Sequence, residues 1–164
     1  MRKLKGFFLF IAAISTVAVI FAGCDIINPP PYQLSTSVVP STGGTISPST
    51  GTFKGRSSVV LVASPAQYYK FVGWAGDASG NTNPLTISMN SNKQIVARFE
   101  KLKYTVQIKP NPSDGGTVCP DSGQYEAGNR INIIATPANE YRFVQWGTDA
   151  SGSTNPRSIL VDKD

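Results

Sequence analysis

An internal repeat of 72 residues limits the folds open to this chain more than any other feature. When the sequence is aligned with itself at this offset, without gaps, its most recognisable segments superimpose: Gly43-Gly44-Thr45 on Gly115-Gly116-Thr117, Pro65-Ala66 on Pro137-Ala138, Trp74 on Trp146, and Asp77-Ala78-Ser79-Gly80 on Asp149-Ala150-Ser151-Gly152. Solenoid repeats are usually about 20–50 residues long, so longer units are more typical of small self-contained domains. The repeat predicts two tandem modules, residues 32–103 and 104–164, which are called copy one and copy two below.

Within each copy, apolar residues alternate with polar ones at the two-residue period of a half-buried β-strand. Val59, Leu61 and Ala63 align with apolar residues of copy two, whereas Val60 aligns with Asn132, so the first three are predicted to face the core. No segment of the sequence has apolar residues at the spacing of an amphipathic helix. The 15 Gly and 12 Pro are residues typical of turns. The predicted fold class is all-β (mainly β). Six short strands are expected in each copy, which in copy one lie near 32–39, 44–48, 57–63, 68–75, 84–89 and 93–100.

The aromatic residues around the two tryptophans have two interpretations. Phe71 and Trp74, with their repeats Phe143 and Trp146, could form a platform for a sugar ring, or they could fill the core of a small module. Phe71 and Trp74 are an odd number of residues apart, so on a regular strand their side chains face opposite ways. We favour the core, with at most one ring of each pair exposed.

The N-terminus has the three parts of an export signal. Basic residues lie among the first five, an uncharged apolar run of 16 residues covers 7–22, and small residues precede Cys24. The run falls just short of the about 17–25 residues of a spanning helix. Phe21-Ala22-Gly23-Cys24 resembles the bacterial lipobox, which implies cleavage before Cys24, lipidation of its thiol and acylation of the new amine. The alternative is a plain signal peptide or an uncleaved anchor, with Cys24 a spare cysteine.

Residues 1–23 are therefore predicted to be a lipoprotein signal peptide, with Cys24 as the lipidation site. Residues 24–31 contain three consecutive prolines, which favour polyproline II, and are predicted to be a stiff tether. Asp25 resembles the inner-membrane retention signal of some two-membrane bacteria. Whether the anchor lies in the inner or the outer membrane is left open. The predicted location is exported, with a lipid anchor in the bacterial cell membrane or envelope.

Cleavage before Cys24 would also remove much of the positive charge. Three of the 15 Lys and Arg residues lie in the signal, so the formal net charge falls from +5 to about +2. The basic character therefore belongs to the signal and is not a nucleic-acid footprint. No nucleic-acid partner is expected. The membrane is contacted through the acyl chains, and a protein or cell-wall partner is left open.

Residues that carry chemistry are few. The sequence contains no histidine, the commonest general base and zinc ligand, so no enzyme activity, catalytic residue, cofactor or metal site is predicted. The loop from Asp77 to Pro84 has oxygen side chains around a glycine, as calcium loops do, but a single carboxylate predicts weak binding and Asx turns explain the same residues. Cys119 aligns with Ser47 and is either an incidental substitution or a thiol for intermolecular pairing.

Three segments of copy one carry a family resemblance: Gly43-Gly44-Thr45, Tyr69-Lys-Phe71-Val-Gly73-Trp74-Ala-Gly76-Asp77 and Ile95-Val-Ala-Arg-Phe99. Together they resemble the divergent InlB B-repeat family. Copy two departs from the pattern after Phe143, where Gln145 replaces Gly73. The resemblance implies tandem modules of bacterial cell-surface and exported proteins, with a β-grasp-like sheet, that serve as spacers and adhesion modules without catalysis.

Copy two is expected to be without a closing strand. Asp164 aligns with Asn92, so the sequence has no counterpart of residues 93–100. A sheet edge would then be unpaired and the core would lose three apolar side chains. We interpret this either as a fragment of a longer protein or as an incomplete and unstable copy two, and favour the first.

The sequence as a whole favours a lipid-anchored envelope protein whose β modules act as non-catalytic spacer, adhesion or protein-binding units. Two alternatives belong to other classes. One is a carbohydrate-binding lipoprotein that uses exposed aromatic rings. The other is the N-terminal accessory part of a longer exported enzyme.

Overall fold

The computed structural model describes residues 29–163. The predicted export signal, the lipidation site Cys24 and the first part of the tether lie outside these residues. The described part is all-β, as predicted, and contains two tandem repeats without any α-helix.

Copy one contains seven strands, one more than predicted. The six predicted strands are all present, within two residues of their expected ends. The additional strand β3 has only three residues, which is too short to produce an alternating pattern, and it pairs with β1. The strands are β1 (Tyr32–Val39), β2 (Gly44–Ser47), β3 (Gly51–Phe53), β4 (Ser58–Pro65), β5 (Tyr69–Gly76), β6 (Leu85–Ser88) and β7 (Lys93–Lys101).

These strands form two sheets with one core between them. The larger sheet has the order β3-β1-β7-β5, and the smaller has the order β2-β4-β6. Strand β7 pairs in parallel with β1 and antiparallel with β5, so it is a central strand. Residues of both sheets share one apolar cluster, to which β7 contributes Ile95, Ala97 and Phe99. The alternate positions identified from the repeat therefore do face the core.

The prediction that Phe71 and Trp74 face opposite ways is wrong. Their rings meet at an angle of 60° with centroids 5.0 Å apart. The pairing of β5 with β7 shifts register between Phe71 and Gly73, which marks a β-bulge. A bulge inserts one extra residue into a strand, so residues three apart can then point to the same face.

Copy two has five strands, and the expectation of six in each copy is wrong for it, because no strand forms near residues 140–147. They are β8 (Lys103–Val106), β9 (Gly116–Cys119), β10 (Gly123–Glu126), β11 (Arg130–Pro137) and β12 (Arg157–Leu160), with a short 3₁₀ turn at Thr148–Ala150. Strands β12-β11-β9 form the counterpart of the smaller sheet, whereas the larger sheet is reduced to the pair β10-β8.

The reduced sheet of copy two follows from the position that β7 has in copy one. Strand β5 has β7 as its partner there, and residues 141–145, which align with most of β5, form no strand. Within residues 29–163, no strand occupies the place of β7 in copy two. The hydrophobic core shrinks accordingly: ten buried apolar side chains in copy one correspond to four in copy two, which are Ala127, Ile133, Trp146 and Val161.

The connection between the copies is one residue long. Leu102 is the single residue between β7 and β8. Its N–H donates to the Tyr68 carbonyl oxygen of copy one at 2.8 Å, and its carbonyl oxygen accepts from the Ala127 N–H of copy two at 2.9 Å. The ammonium of Lys101 reaches Glu126 at 3.4 Å and Asn129 at 3.2 Å. The linker residue is therefore bonded to both modules.

The end of the tether contacts copy one at the position where the linker contacts copy two. Gly55, the counterpart of Ala127, is buried, and a Cβ there would lie 2.9 Å from Pro29 Cβ and collide with the Pro30 carbonyl oxygen. Pro30 is the counterpart of Leu102 at the repeat offset. In each module, the segment that precedes the first strand therefore contacts an internal turn. This turn lies before β4 in copy one and before β11 in copy two.

The difference in sheet size predicts a difference in stability between the modules. Each large apolar side chain of β7 contributes about 1–3 kcal/mol by burial, so in a polypeptide of residues 29–164 copy two should open at a free energy several kcal/mol lower than copy one. Native-state hydrogen exchange measured by NMR should show faster exchange in β8–β12 than at the aligned positions of β1–β6. Leu61 and Ile133 form a matched pair, since both side chains are fully buried. Equal protection of the two would contradict the prediction.

Candidate functional site

The tryptophan of each copy is fixed by the loop that follows it. The Trp74 indole N–H donates to the Thr82 carbonyl oxygen at 2.8 Å, and the Trp74 backbone N–H donates to the Gly80 carbonyl oxygen at 2.8 Å. Copy two repeats both bonds, from Trp146 to Thr154 and to Gly152, at 2.9 and 2.8 Å. A buried indole needs a hydrogen-bond acceptor, and the loop supplies one within the module.

The asparagine at the end of this loop pairs with a strand backbone. The Asn83 side chain accepts from the Ala63 N–H at 3.0 Å and donates to the Ala63 carbonyl oxygen at 2.7 Å. Asn155 makes the same two bonds to Ala135, at 3.0 and 2.7 Å. A single amide group thus continues the pairing along one edge of β4 and β11, beyond Leu61 and Ile133, where the pairing with β6 and β12 ends. The sequence analysis did not predict this role, although the presence of asparagine at both aligned positions, 83 and 155, could have indicated it.

The aspartate that opens the loop bonds to β7 in copy one. One carboxylate oxygen of Asp77 accepts from the Gln94 N–H at 2.7 Å, and the Asp77 N–H donates to the Gln94 carbonyl oxygen at 2.8 Å. These bonds give Asp77 a structural role, although its partner lies 17 residues away and the bond is therefore not an Asx turn. The residues that the structure describes contain no group of three or more His, Cys, Asp or Glu side chains close enough to hold a metal ion.

The corresponding aspartate of copy two has a different partner. Asp149 forms an ion pair with Lys163 at 3.0 Å, and both side chains are mostly exposed. The hydrogen bond to Asp149 and the charge of its carboxylate raise the pKa of Lys163. Exposed ion pairs of this kind contribute little to stability.

The two tryptophan rings are buried, and the half-buried phenylalanine rings pack against them. Trp74 and Trp146 are 5% and 8% exposed. Phe71 lies between Trp74 and Phe99, with its ring centroid 5.8 Å from that of Phe99. Phe143 and Trp146 keep the same arrangement in copy two, with centroids 5.1 Å apart. The preference for a core role is confirmed for Trp74 and Trp146.

Copy two contains a large groove along its reduced sheet. The groove has a volume of about 1240 Å³. One side is formed by residues 105–112 and the other by residues 141–149. Its lining includes the apolar side chains of Ile133, Phe143, Trp146, Ile159 and Val161. Sequence reasoning predicted an unpaired edge in copy two, but not the second wall, which depends on where residues 141–149 lie.

The remaining predicted site residues are the two cysteines. Cys119 is an exposed free thiol at the end of β9, and no cysteine partner lies near it within residues 29–163. Cys24, the predicted lipidation site, lies outside the described residues. Among residues 29–163 there is no helix with the length and apolar character needed to cross a membrane.

Comparison with known protein families identifies the modules. The divergent InlB B-repeat domain matches residues 34–103 and again residues 104–163, which together make up most of the chain. The chain belongs to this family, as the resemblance of copy one implied, and its modules are β-repeats of the surface-associated type. Neither a comparison with curated proteins nor one with solved structures found a match.

The asparagine bridge makes a stability prediction. Asn83→Ala should destabilise copy one by about 1–3 kcal/mol, because it leaves a part-buried N–H and carbonyl of Ala63 without their partners. Urea denaturation followed by tryptophan fluorescence measures the change. Asn81→Ala, at an exposed position of the same loop, is the matched control and should alter stability by less than about 0.5 kcal/mol. An equal effect of both substitutions would mean that the bridge adds nothing.

Proposed function

We propose that this protein is a lipid-anchored component of the bacterial cell envelope whose two β modules act as a non-catalytic spacer and protein-binding unit. The modules belong to a family of surface-associated repeats. The anchoring part of the proposal rests on the apolar run before Cys24 and on the lipobox-like Phe21-Ala22-Gly23-Cys24. Two or more acyl chains on one cysteine would give stable attachment, which a single chain does not.

The spacer part of the proposal is supported by the connection between the modules. A linker of one residue, bonded on both sides, limits the angles that the two modules can adopt. Gly128 adds a second contact between the copies, because a Cβ there would lie 2.7 Å from the Tyr68 ring. The proline tether packs against Gly55 in the same way. A chain that is stiff at both joints holds its far end away from the surface to which it is attached.

Two other functions receive less support. A carbohydrate-binding lipoprotein would need an exposed aromatic platform, and both tryptophan rings are buried. An accessory role beside a catalytic domain is compatible with the same modules, but no observation on the described residues favours it over a spacer.

Replacement of the proposed lipidation site tests the anchor. Cys24→Ser should abolish labelling by a radioactive or clickable fatty acid, and should leave the precursor uncut or release the product from the membrane fraction. Cys119→Ser is the matched control, because it makes the same change at the other cysteine, which is exposed in copy two. Its labelling and fractionation should equal those of the unmodified chain. Equal membrane retention of Cys24→Ser would refute the anchor.

Separation of the modules tests the spacer. In the soluble chain without the export signal, NMR relaxation should give both copies one common rotational correlation time. Four Gly-Ser residues inserted after Leu102 should let the copies tumble separately with shorter times, since flexible linkers behave as random coils. The same four residues inserted in the exposed turn after Asn90 are the control and should keep the common time. Independent tumbling of the unmodified modules would contradict a spacer.

A further inference from the structure

Charge is divided unevenly between the two copies. Copy one contains seven Lys and Arg residues against two carboxylates, whereas copy two contains five against seven. The formal charge is therefore +5 in the copy next to the tether and −2 in the copy beyond it. The small net charge that remains after the proposed cleavage conceals this difference. Because the two charges have opposite signs, the two copies should respond differently to a charged surface.

The end of copy one that contacts the tether is the end nearest to the proposed anchor. A Cβ on Gly55 would lie 2.9 Å from Pro29 Cβ, so the tether reaches the turn before β4. Five residues of chain lead from Cys24 to Pro29, and such a segment spans at most about 18 Å even when it is fully extended. Strand β1 has eight residues and is about 26 Å long, so the opposite end of copy one lies much farther from the anchor.

Three cations lie at this near end of copy one. Lys54 and Arg56 flank the glycine that contacts the tether, and both side chains are exposed. The Arg56 N–H donates to the Met89 carbonyl oxygen at 2.7 Å, which joins this turn to the segment before β7. Lys93, the first residue of β7, lies opposite Leu34 near the start of β1, because the two strands are parallel. Lys54, Arg56 and Lys93 are called the basic end below.

The carboxylates of copy one do not neutralise the basic end. Within residues 29–163, none of its three cations forms an ion pair. Glu100 lies at the other end of β7, where it pairs with Lys70 at 3.2 Å. Asp77 is held at the end of β5, because one of its carboxylate oxygens accepts from the Gln94 N–H at 2.7 Å. The near end of copy one therefore keeps its positive charge, whereas the far end has part of its charge paired.

We propose that the basic end binds the headgroups of anionic phospholipids in the membrane that holds the anchor. The inference rests on the proposed lipid anchor, which brings this end of copy one to the bilayer surface. Each Lys or Arg close to an anionic surface strengthens binding by about fivefold, and the effect is lost beyond a Debye length of about 8–10 Å. Copy two has an excess of carboxylates, so the same surface repels it. The contact thus orients the spacer with copy one at the membrane and copy two away from it.

A chain with a chemically attached anchor tests the inference. Residues 24–164 with Cys119→Ser have one thiol, at Cys24, which is alkylated with a single fourteen-carbon chain, and the N-terminus is acetylated so that it adds no charge. One such chain binds membranes only marginally and reversibly, so a contribution from the protein surface can be measured. Co-sedimentation should give a partition coefficient at least about tenfold higher on vesicles with about 30% phosphatidylglycerol than on pure phosphatidylcholine. Salt at about 0.5 M should abolish the difference.

Substitutions in the protein locate the lipid-binding surface. Lys54→Gln, Arg56→Gln and Lys93→Gln together should remove most of the preference for anionic vesicles. Each substitution alone should lower it by about twofold to fivefold, so the surface is located even if the triple variant does not fold. The matched control changes the net charge equally by replacing three exposed cations of copy two with Gln, and it should keep the preference. These cations are Lys109, Arg130 and Arg142.

Two results would overturn the inference. One is equal partition of the unmodified alkylated chain onto both kinds of vesicle. The other is an equal loss of preference in the copy-two control, which would assign the effect to net charge and not to the basic end. The chemical anchor makes both results independent of whether cells lipidate Cys24, which the Cys24→Ser experiment decides separately.

Discussion

The structure of each module depends on whether a central strand lies between its first and fifth strands. In copy one, β7 has β1 as a parallel neighbour and β5 as an antiparallel one, and it delivers three buried side chains to the core. A central strand satisfies backbone groups on two sides at once, so its loss affects both neighbours. In copy two no strand occupies this position within residues 29–163, residues 141–145 belong to no strand, and the core is smaller.

The parts of the module that do not need β7 are the same in both copies. The indole of each tryptophan bonds to its own loop, and each asparagine pairs with the backbone of β4 or β11. These bonds join residues 8 and 20 positions apart in the sequence, so they form within one half of the module. Local hydrogen bonds of this kind preserve the position of Trp146, and therefore one wall of the groove, without the central strand.

The spacer proposed for the chain rests on two joints that are built in the same way. Leu102 is hydrogen-bonded to both copies, and Pro29 and Pro30 pack against Gly55 at the aligned position. Copy one, with its ten buried apolar side chains, lies between the two joints.

The sequence by itself determined the repeat, the all-β class and the inward positions of the strands, because a two-residue period reports directly which face of a strand is buried. It also placed the tryptophans in the core. Only the tertiary structure decided which strands are neighbours. The short strand β3, the bulge that brings Phe71 and Trp74 to one face, and the asparagine bridges all depend on a partner in another segment of the chain. Periodicity describes one strand at a time, so it cannot specify where an extra residue is inserted or which backbone a side chain reaches.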